Sequence, residues 1–315
     1  MMQLELNDII SARARIAPHI RKTPLMAAAA LSAPITDARL WLKLECLQAS
    51  GSFKARGATN KLLSTPRDAL AQGVVTASGG NHALATVRAA SSAGVKATIF
   101  VPENVAAYKL ERLRAMGATV HVVGSVWNET NEHALAFATK TGAAYFHPFA
   151  DPAVMAGQGT VALEILDELP DLDAILIAIG GGGLLTGMAV ALKTLKPSIR
   201  IIGIEPVGCP TFHASLAAGQ VITLPKVSTR VATMACARTD PDVFELSRHL
   251  IDDIILLEDR AMEEAARWLW TELGLAADLS GAAAVAALRG GHVALTATET
   301  VCALVCGAGT EGIPG

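Results

Sequence analysis

Short β-rich runs, several of them unbroken apolar, alternate with alanine-rich stretches along this chain, and no other feature limits its folding so strongly. The runs are Arg39–Leu44, Gly73–Ala77, Ala97–Val101, Thr119–Val123, Ala174–Ile179, Ile199–Ile204, Ile251–Leu257 and Thr300–Val305. Several lack polar alternation, which predicts parallel strands covered on both faces. The stretches between them, such as Asn81–Ser92, Lys109–Met116, Asn131–Thr141 and Met262–Leu273, read as helices. Strand–helix alternation of this length predicts an α/β fold with parallel sheets. The compact β-α-β-α-β run between Gly73 and Val123 reads as a small domain inserted within a larger one. We place the large domain at residues 1–47 plus 150–315 and the small one at 48–149.

Composition narrows the function. Of 315 residues, 51% are hydrophobic and 17% charged, which supports a large core and excludes a disordered chain. The net charge of −3 argues against nucleic acid, whose binders are usually basic, and so favours a small-molecule partner. No run of 18 apolar residues occurs, so no membrane span is expected. The N-terminal stretch mixes Glu, Asp and Arg with apolar residues and lacks the layout of a signal peptide. The five cysteines form no Cys-x-x-Cys pair, and a scattered, odd set does not suggest a disulfide framework. A reducing cytoplasm is the expected home.

Four clusters carry candidate chemistry. In the first, Ala49-Ser-Gly-Ser-Phe-Lys-Ala-Arg-Gly57, Lys54 follows a strand, sits among small residues and precedes a helix. A buried lysine has a lowered pKa and becomes a nucleophilic amine, as Schiff-base chemistry requires. An exposed lysine at a helix start is the plain alternative. The second, Thr76-Ala-Ser-Gly-Gly-Asn-His-Ala83, joins a strand to a helix. Backbone N–H groups there, with the helix N-terminus, suit a carboxylate; plain turn chemistry explains Ser, Gly and Asn equally. His82 reads better as a structural histidine than as a general base.

The third cluster, Ile179-Gly-Gly-Gly-Gly-Leu-Leu-Thr-Gly187, follows a strand and opens a helix. Successive glycines let backbone wrap closely around a tetrahedral anion, and the helix dipole favours its charge. Neither the dinucleotide fingerprint nor a P-loop is present, so a phosphate without a nucleotide is favoured over a simple tight turn. The fourth, Val301-Cys-Ala-Leu-Val-Cys-Gly-Ala-Gly-Thr310, ends the last strand, where open α/β sheets place ligands. Cys306 is either a site residue there or a buried core thiol. A lysine, an anion turn, a phosphate loop and a strand-end thiol together describe pyridoxal 5'-phosphate.

These clusters, in this order and spacing, resemble the fold type II pyridoxal-phosphate enzymes of the serine/threonine dehydratase group, in the tryptophan synthase β-like superfamily. The resemblance covers nearly the whole chain. Ser52-Phe-Lys-Ala-Arg-Gly-Ala58 is similar to that family's lysine motif. It implies Lys54 as the Schiff-base lysine, with Phe53 packing on the cofactor ring. Ser78-Gly79-Gly80-Asn81-His82 is similar to the substrate-carboxylate loop, with Asn81 at the ring's 3′-oxygen. Gly180, Gly181, Gly182 and Gly183 match the phosphate loop, followed by Leu184. Gly203 to Ala214, Ala218-Gly219 and Leu224-Pro-Lys226 resemble the animal-type L-serine dehydratases in particular. Val305-Cys-Gly-Ala-Gly309 does so too, which implies Cys306 at the pyridine nitrogen. A potassium-like cation in those relatives implies a site at Glu205 and the carbonyls of Gly180, Cys209, Met234 and Cys236.

The implied activity is β-elimination from a β-hydroxy amino acid such as L-threonine or L-serine, giving a 2-oxo acid and ammonia, by a homodimer. Lys54 removes the α-proton, and the hydroxyl leaves as water. Racemases of the family use a serine on the opposite ring face where this chain has Gly79, so racemisation is the alternative and is disfavoured. Hydroxyaspartate or phenylserine ammonia-lyase activity is a second alternative, and a non-catalytic cofactor- and amino-acid-binding sensor a third. Ala277-Asp278, where the family often has Glu-Pro, and Thr310, where it has Asn, depart from the pattern.

Overall fold

The computed structural model describes residues 2–103, 105, 107–125 and 127–314. Ten strands and eleven α-helices occur among them. The strands are β1 Leu25–Ala27, β2 Arg39–Leu44, β3 Val74–Ala77, β4 Ala97–Val101, β5 Thr119–Val122, β6 Ala144–Tyr145, β7 Ala174–Ala178, β8 Arg200–Pro206, β9 Asp253–Leu257 and β10 Thr300–Val305. The helices are α1 Leu6–Ile16, α2 Lys54–Ser64, α3 Asn81–Ser92, α4 Ala107–Ala115, α5 Trp127–Thr141, α6 Pro152–Glu168, α7 Gly183–Leu195, α8 Thr211–Ala218, α9 Pro241–Ser247, α10 Asp259–Leu273 and α11 Leu279–Arg289.

Two sheets result. The larger runs β1-β2-β10-β7-β8-β9 and is parallel except for β1, which pairs antiparallel with β2. The smaller runs β5-β4-β3-β6 and is wholly parallel. Every residue of β7 and β10, at the centre of the large sheet, is buried. That burial is what their unbroken apolar runs require. The edge strand β5 is largely exposed, with Thr119, His121 and Val122 facing solvent.

Helix α6 ties the two halves. Asp151 caps it by accepting from the N–H groups of Ala153 and Val154 at 2.8 and 3.1 Å, and Pro152 starts it. Glycines bring its backbone close to two neighbours. A Cβ on Gly157 would lie 2.6 Å from the Gly57 Cα of α2. A Cβ on Gly159 would lie 2.6 Å from the Gly187 carbonyl of α7. The helix that begins with Lys54 and the helix that begins at the glycine loop therefore pack on one shared rod.

Candidate active site

The loops that carry the site leave the carboxyl ends of parallel strands, the usual ligand position in open α/β sheets. The loop after β2 leads to Lys54, that after β3 holds residues 78–80, that after β6 holds 146–149, that after β7 holds 179–182, and Cys306 follows β10. The end of β10 binds its neighbours on both sides. The Phe53 N–H donates to the Cys306 carbonyl at 3.1 Å, and the Ala308 N–H to that of Gly51 at 2.7 Å. On the far side the Asp278 N–H donates to the Gly307 carbonyl at 3.0 Å.

Lys54 opens α2 with a part-buried side chain. Its Nζ donates to the Pro148 carbonyl at 2.7 Å and lies 5.0 Å from the Phe53 ring centroid. It has no carboxylate partner among the described residues. Burial lowers its pKa to about 8, against weaker upward pulls from Cys306 and Cys236. The amine is thus available as a nucleophile at near-neutral pH.

Arg56, two residues on, locks this helix from behind. It is fully buried and makes a fork to Glu45 at 2.8 and 2.7 Å. It also bonds Glu164 of α6 at 2.7 and 2.9 Å. Glu164 in turn accepts from Lys43 at 2.6 Å. Two cations and two carboxylates balance one another, and these pairs hold the guanidinium charged although burial opposes it.

The glycine loop has the geometry of an anion cradle. Gly182 takes a left-handed φ of 92° and precedes α7, whose first N–H groups lack helical acceptors. There is no room for side chains. A Cβ on Gly181 would lie 2.3 Å from the Phe149 ring, one on Gly182 2.4 Å from Phe212, and one on Gly183 2.5 Å from the Phe149 carbonyl. Gly180 sits against the Thr233 carbonyl and Met234, and Leu184 is buried in the first turn of α7.

Phe149 and Pro148 connect the loop to the lysine. The His147 Nδ1 accepts from the N–H groups of Phe149 and Ala150 at 3.2 and 2.7 Å, which folds this turn. Burial lowers the imidazole to about 4, so it is neutral. Its ring meets Phe149 edge-on, with centroids 4.5 Å apart.

The second cluster lies where β3 meets α3. The Gly80 N–H reaches the Ser78 hydroxyl at 3.3 Å, and Gly79 faces Val105, whose Cγ2 would be 2.5 Å from an added Cβ. The Asn81 amide donates to Asp278 at 3.1 Å. His82 is buried, with Nε2 3.2 Å from the Phe146 carbonyl and burial lowering its pKa to about 3. Its Nδ1 and the Ser52 hydroxyl are buried without a partner among the described residues.

Of the expected cation positions, Glu205, Cys209 and Cys236 lie around the start of α8, and Met234 lies against Gly180. Glu205 ends in a buried pocket, accepting from the Phe212 and His213 N–H groups at 2.9 and 2.8 Å. Burial raises it to about 7, and it has no basic side-chain partner among the described residues. The Cys236 carbonyl accepts from Thr211 at 2.5 Å and lies 3.5 Å from the Cys209 sulfur. All five cysteines are free thiols.

Two groups escaped the sequence reading. Asp278 was grouped among departures from the pattern, yet it caps α11 and holds Asn81. Asp before an alanine-rich run is an N-cap signal. The Arg56 network left no local signal, because Arg56 and Glu164 lie 108 residues apart.

These features fit pyridoxal phosphate: a lysine amine of lowered pKa, a loop in which any Cβ would collide, and, among the described residues, unpartnered buried polar atoms at Ser52 and His82. A sequence profile described as pyridoxal-phosphate dependent enzyme matches residues 16–307. The chain belongs to the pyridoxal-phosphate dependent enzymes. Relatives within that group include the L-threonine ammonia-lyase of Geobacter sulfurreducens, 38% identical over 290 residues, covering 92% of this chain and 72% of that protein. The serine racemase of Oryza sativa subsp. indica is 39% identical over 285 residues, covering 90% of this chain and 83% of that protein. Maize serine racemase superposes with a TM-score of 0.91 at 33% identity, covering 98% of this chain and 94% of that one. The pair of parallel sheets is the fold type II arrangement of pyridoxal-phosphate dependent enzymes.

Proposed function

We propose that this chain is an ammonia-lyase that eliminates water from a β-hydroxy amino acid such as L-threonine or L-serine, releasing a 2-oxo acid and ammonia. The observation that carries the reading is Lys54. Its amine has a pKa lowered to about 8 and, among the described residues, bonds only a backbone carbonyl, that of Pro148. The next residue covers the glycine loop. Bound pyridoxal phosphate supplies an aldehyde for that amine and a ring that delocalises a carbanion.

The chain's own groups do the rest. Lys54 binds the cofactor, and when displaced by substrate it accepts the α-proton as general base. The backbone of Gly180–Gly183 and the N-terminus of α7 would hold the phosphate. Ser78, Gly79, Gly80 and Asn81 take the substrate carboxylate, and His82 buttresses their loop through the Phe146 carbonyl. Phe53 would pack beside the cofactor ring, Leu184 would line its phosphate end, and Cys306 would face its ring nitrogen. A neutral thiol there cannot hold that nitrogen protonated as a carboxylate would, which limits carbanion build-up and favours elimination.

The proposal extends to a monovalent cation such as potassium. Glu205, a buried carboxylate without a basic side-chain partner among the described residues, lies near Cys209 and the Cys236 carbonyl through α8, and such oxygen donors suit a hard ion. Gly180, Cys209, Met234 and Cys236 would supply them. The ion would fix the loop after β7 against residues 233–236. A homodimer in a reducing cytoplasm completes the reading.

Steady-state release of ammonia and 2-oxo acid from serine, threonine, hydroxyaspartate and phenylserine tests it. Turnover of at least one, abolished in Lys54→Ala, supports the reading. Rapid D-serine formation with little pyruvate contradicts it.

A further inference from the structure

Asn81 and Asp278 meet at the end of β10. The Asn81 side-chain nitrogen donates to Asp278 Oδ2 at 3.1 Å. Both atoms crowd Gly307, where an added Cβ would lie 2.6 Å from Asp278 Oδ2 and 3.1 Å from Asn81 Nδ2. The other Asp278 oxygen accepts from the Ser280 hydroxyl at 2.7 Å and from the Gly281 N–H at 2.6 Å, which caps α11. Each of these partners is a donor, which matches an ionised carboxylate, an acceptor only. Burial opposes the charge, and the three donors and Lys109 favour it. An amide can face such a group only through its nitrogen. The Asn81 nitrogen carries two hydrogens. Asp278 holds one, and the second has no partner among the described residues.

We propose that Asp278 is a positioning residue that fixes the Asn81 amide so that its second N–H donates to the cofactor's ring 3′-oxygen. This rests on the cofactor placement proposed above. Turned over, the amide would put its own oxygen there, and lone pairs would face the ring oxygen. A carboxylate that opens α11, beside the large sheet, thus sets a donor that opens α3, beside the small one. Substitution separates this role from capping, because Asp, Asn and Ser cap helices about equally well. In Asp278→Asn the carbonyl oxygen stays with Ser280 and Gly281, so the new NH2 group faces Asn81 and forces its amide over. Ser at 278 still caps α11 but is too short to reach Asn81, so that amide is free to turn.

The test begins with cofactor-free protein. The Asn81 side-chain amide is identified in a proton–nitrogen correlation spectrum as the pair of signals missing from Asn81→Ala. Asp278→Asn and Asp278→Ser are both expected to move the hydrogen-bonded proton of that pair to the position of a free amide. With pyridoxal phosphate, Asp278→Asn is expected to bind about 10- to 150-fold more weakly, the range for a lost hydrogen bond to a charged group. The cofactor's absorbance maximum is expected to shift with it. Asp278→Ser is expected to lose less affinity, although it is the larger change in shape, and the urea midpoints of the two variants to stay close. An unmoved amide pair in either variant overturns the proposal. So does an equal or greater loss of affinity in Asp278→Ser, the order that a purely structural role predicts. If the unmodified protein forms no borohydride-sensitive band with pyridoxal phosphate, the ammonia-lyase reading fails, and the cofactor-free spectra still decide whether Asp278 sets the amide.

Discussion

The Lys54 amine donates to the carbonyl of Pro148 at 2.7 Å, and the ring of the following residue, Phe149, covers Gly181. One two-residue segment thus links the Lys54 amine to the glycine loop. Burial holds the amine near pKa 8, below its ordinary value. A lowered lysine pKa raises the neutral fraction at a given pH. The rate at which cofactor-free protein captures pyridoxal phosphate should level off above about pH 8 and fall about tenfold per unit below it. Stopped-flow absorbance across pH 6 to 10 reads this directly, and a flat profile would count against the assignment.

Substitution in the cradle should weaken cofactor binding without touching the lysine. A Cβ on Gly183 would approach the Phe149 carbonyl to 2.5 Å, so backbone must move. Overpacking of this kind costs about 1–3 kcal/mol, or roughly 5- to 150-fold in affinity. Fluorescence titration of Gly183→Ala with pyridoxal phosphate should show that loss.

The Arg56 network predicts a stability effect. Arg56→Ala leaves Glu45 and Glu164 without their buried guanidinium partner. Breaking a buried pair from one side costs about 3–5 kcal/mol. Urea unfolding should show a drop of this size.

Elements with unbroken apolar runs were legible in the sequence, because burial on both faces leaves no place for polar residues. β4 and β10 occupy the residues their runs predict, and β2 does so too although its buried Lys43 pairs with Glu164. The edge strands β1 and β6, three and two residues long, carry no such run and were missed. At the site, Lys54 and Gly180–Gly183 were visible because small residues cluster locally around a reactive or anion-binding group. Asp278 was not, because its value lies in contacts with Asn81 and Ser280 that only folding creates.

Gly79 bears on reaction outcome. Val105 fills the space a side chain there would need, with Cγ2 2.5 Å from an added Cβ. Gly79→Ser alone should therefore disturb this loop, raise KM and yield no racemisation. Gly79→Ser combined with Val105→Ala restores the space, and chiral analysis of recovered serine should show any D-serine only in the double variant.

The claim on which the rest depends is that Lys54 carries the cofactor. Borohydride reduction of the loaded protein, followed by peptide mass spectrometry, tests it most directly. The account predicts one phosphopyridoxyl group, on the peptide containing Lys54. A modification on a different lysine, or none in a protein that has bound the cofactor, would contradict it.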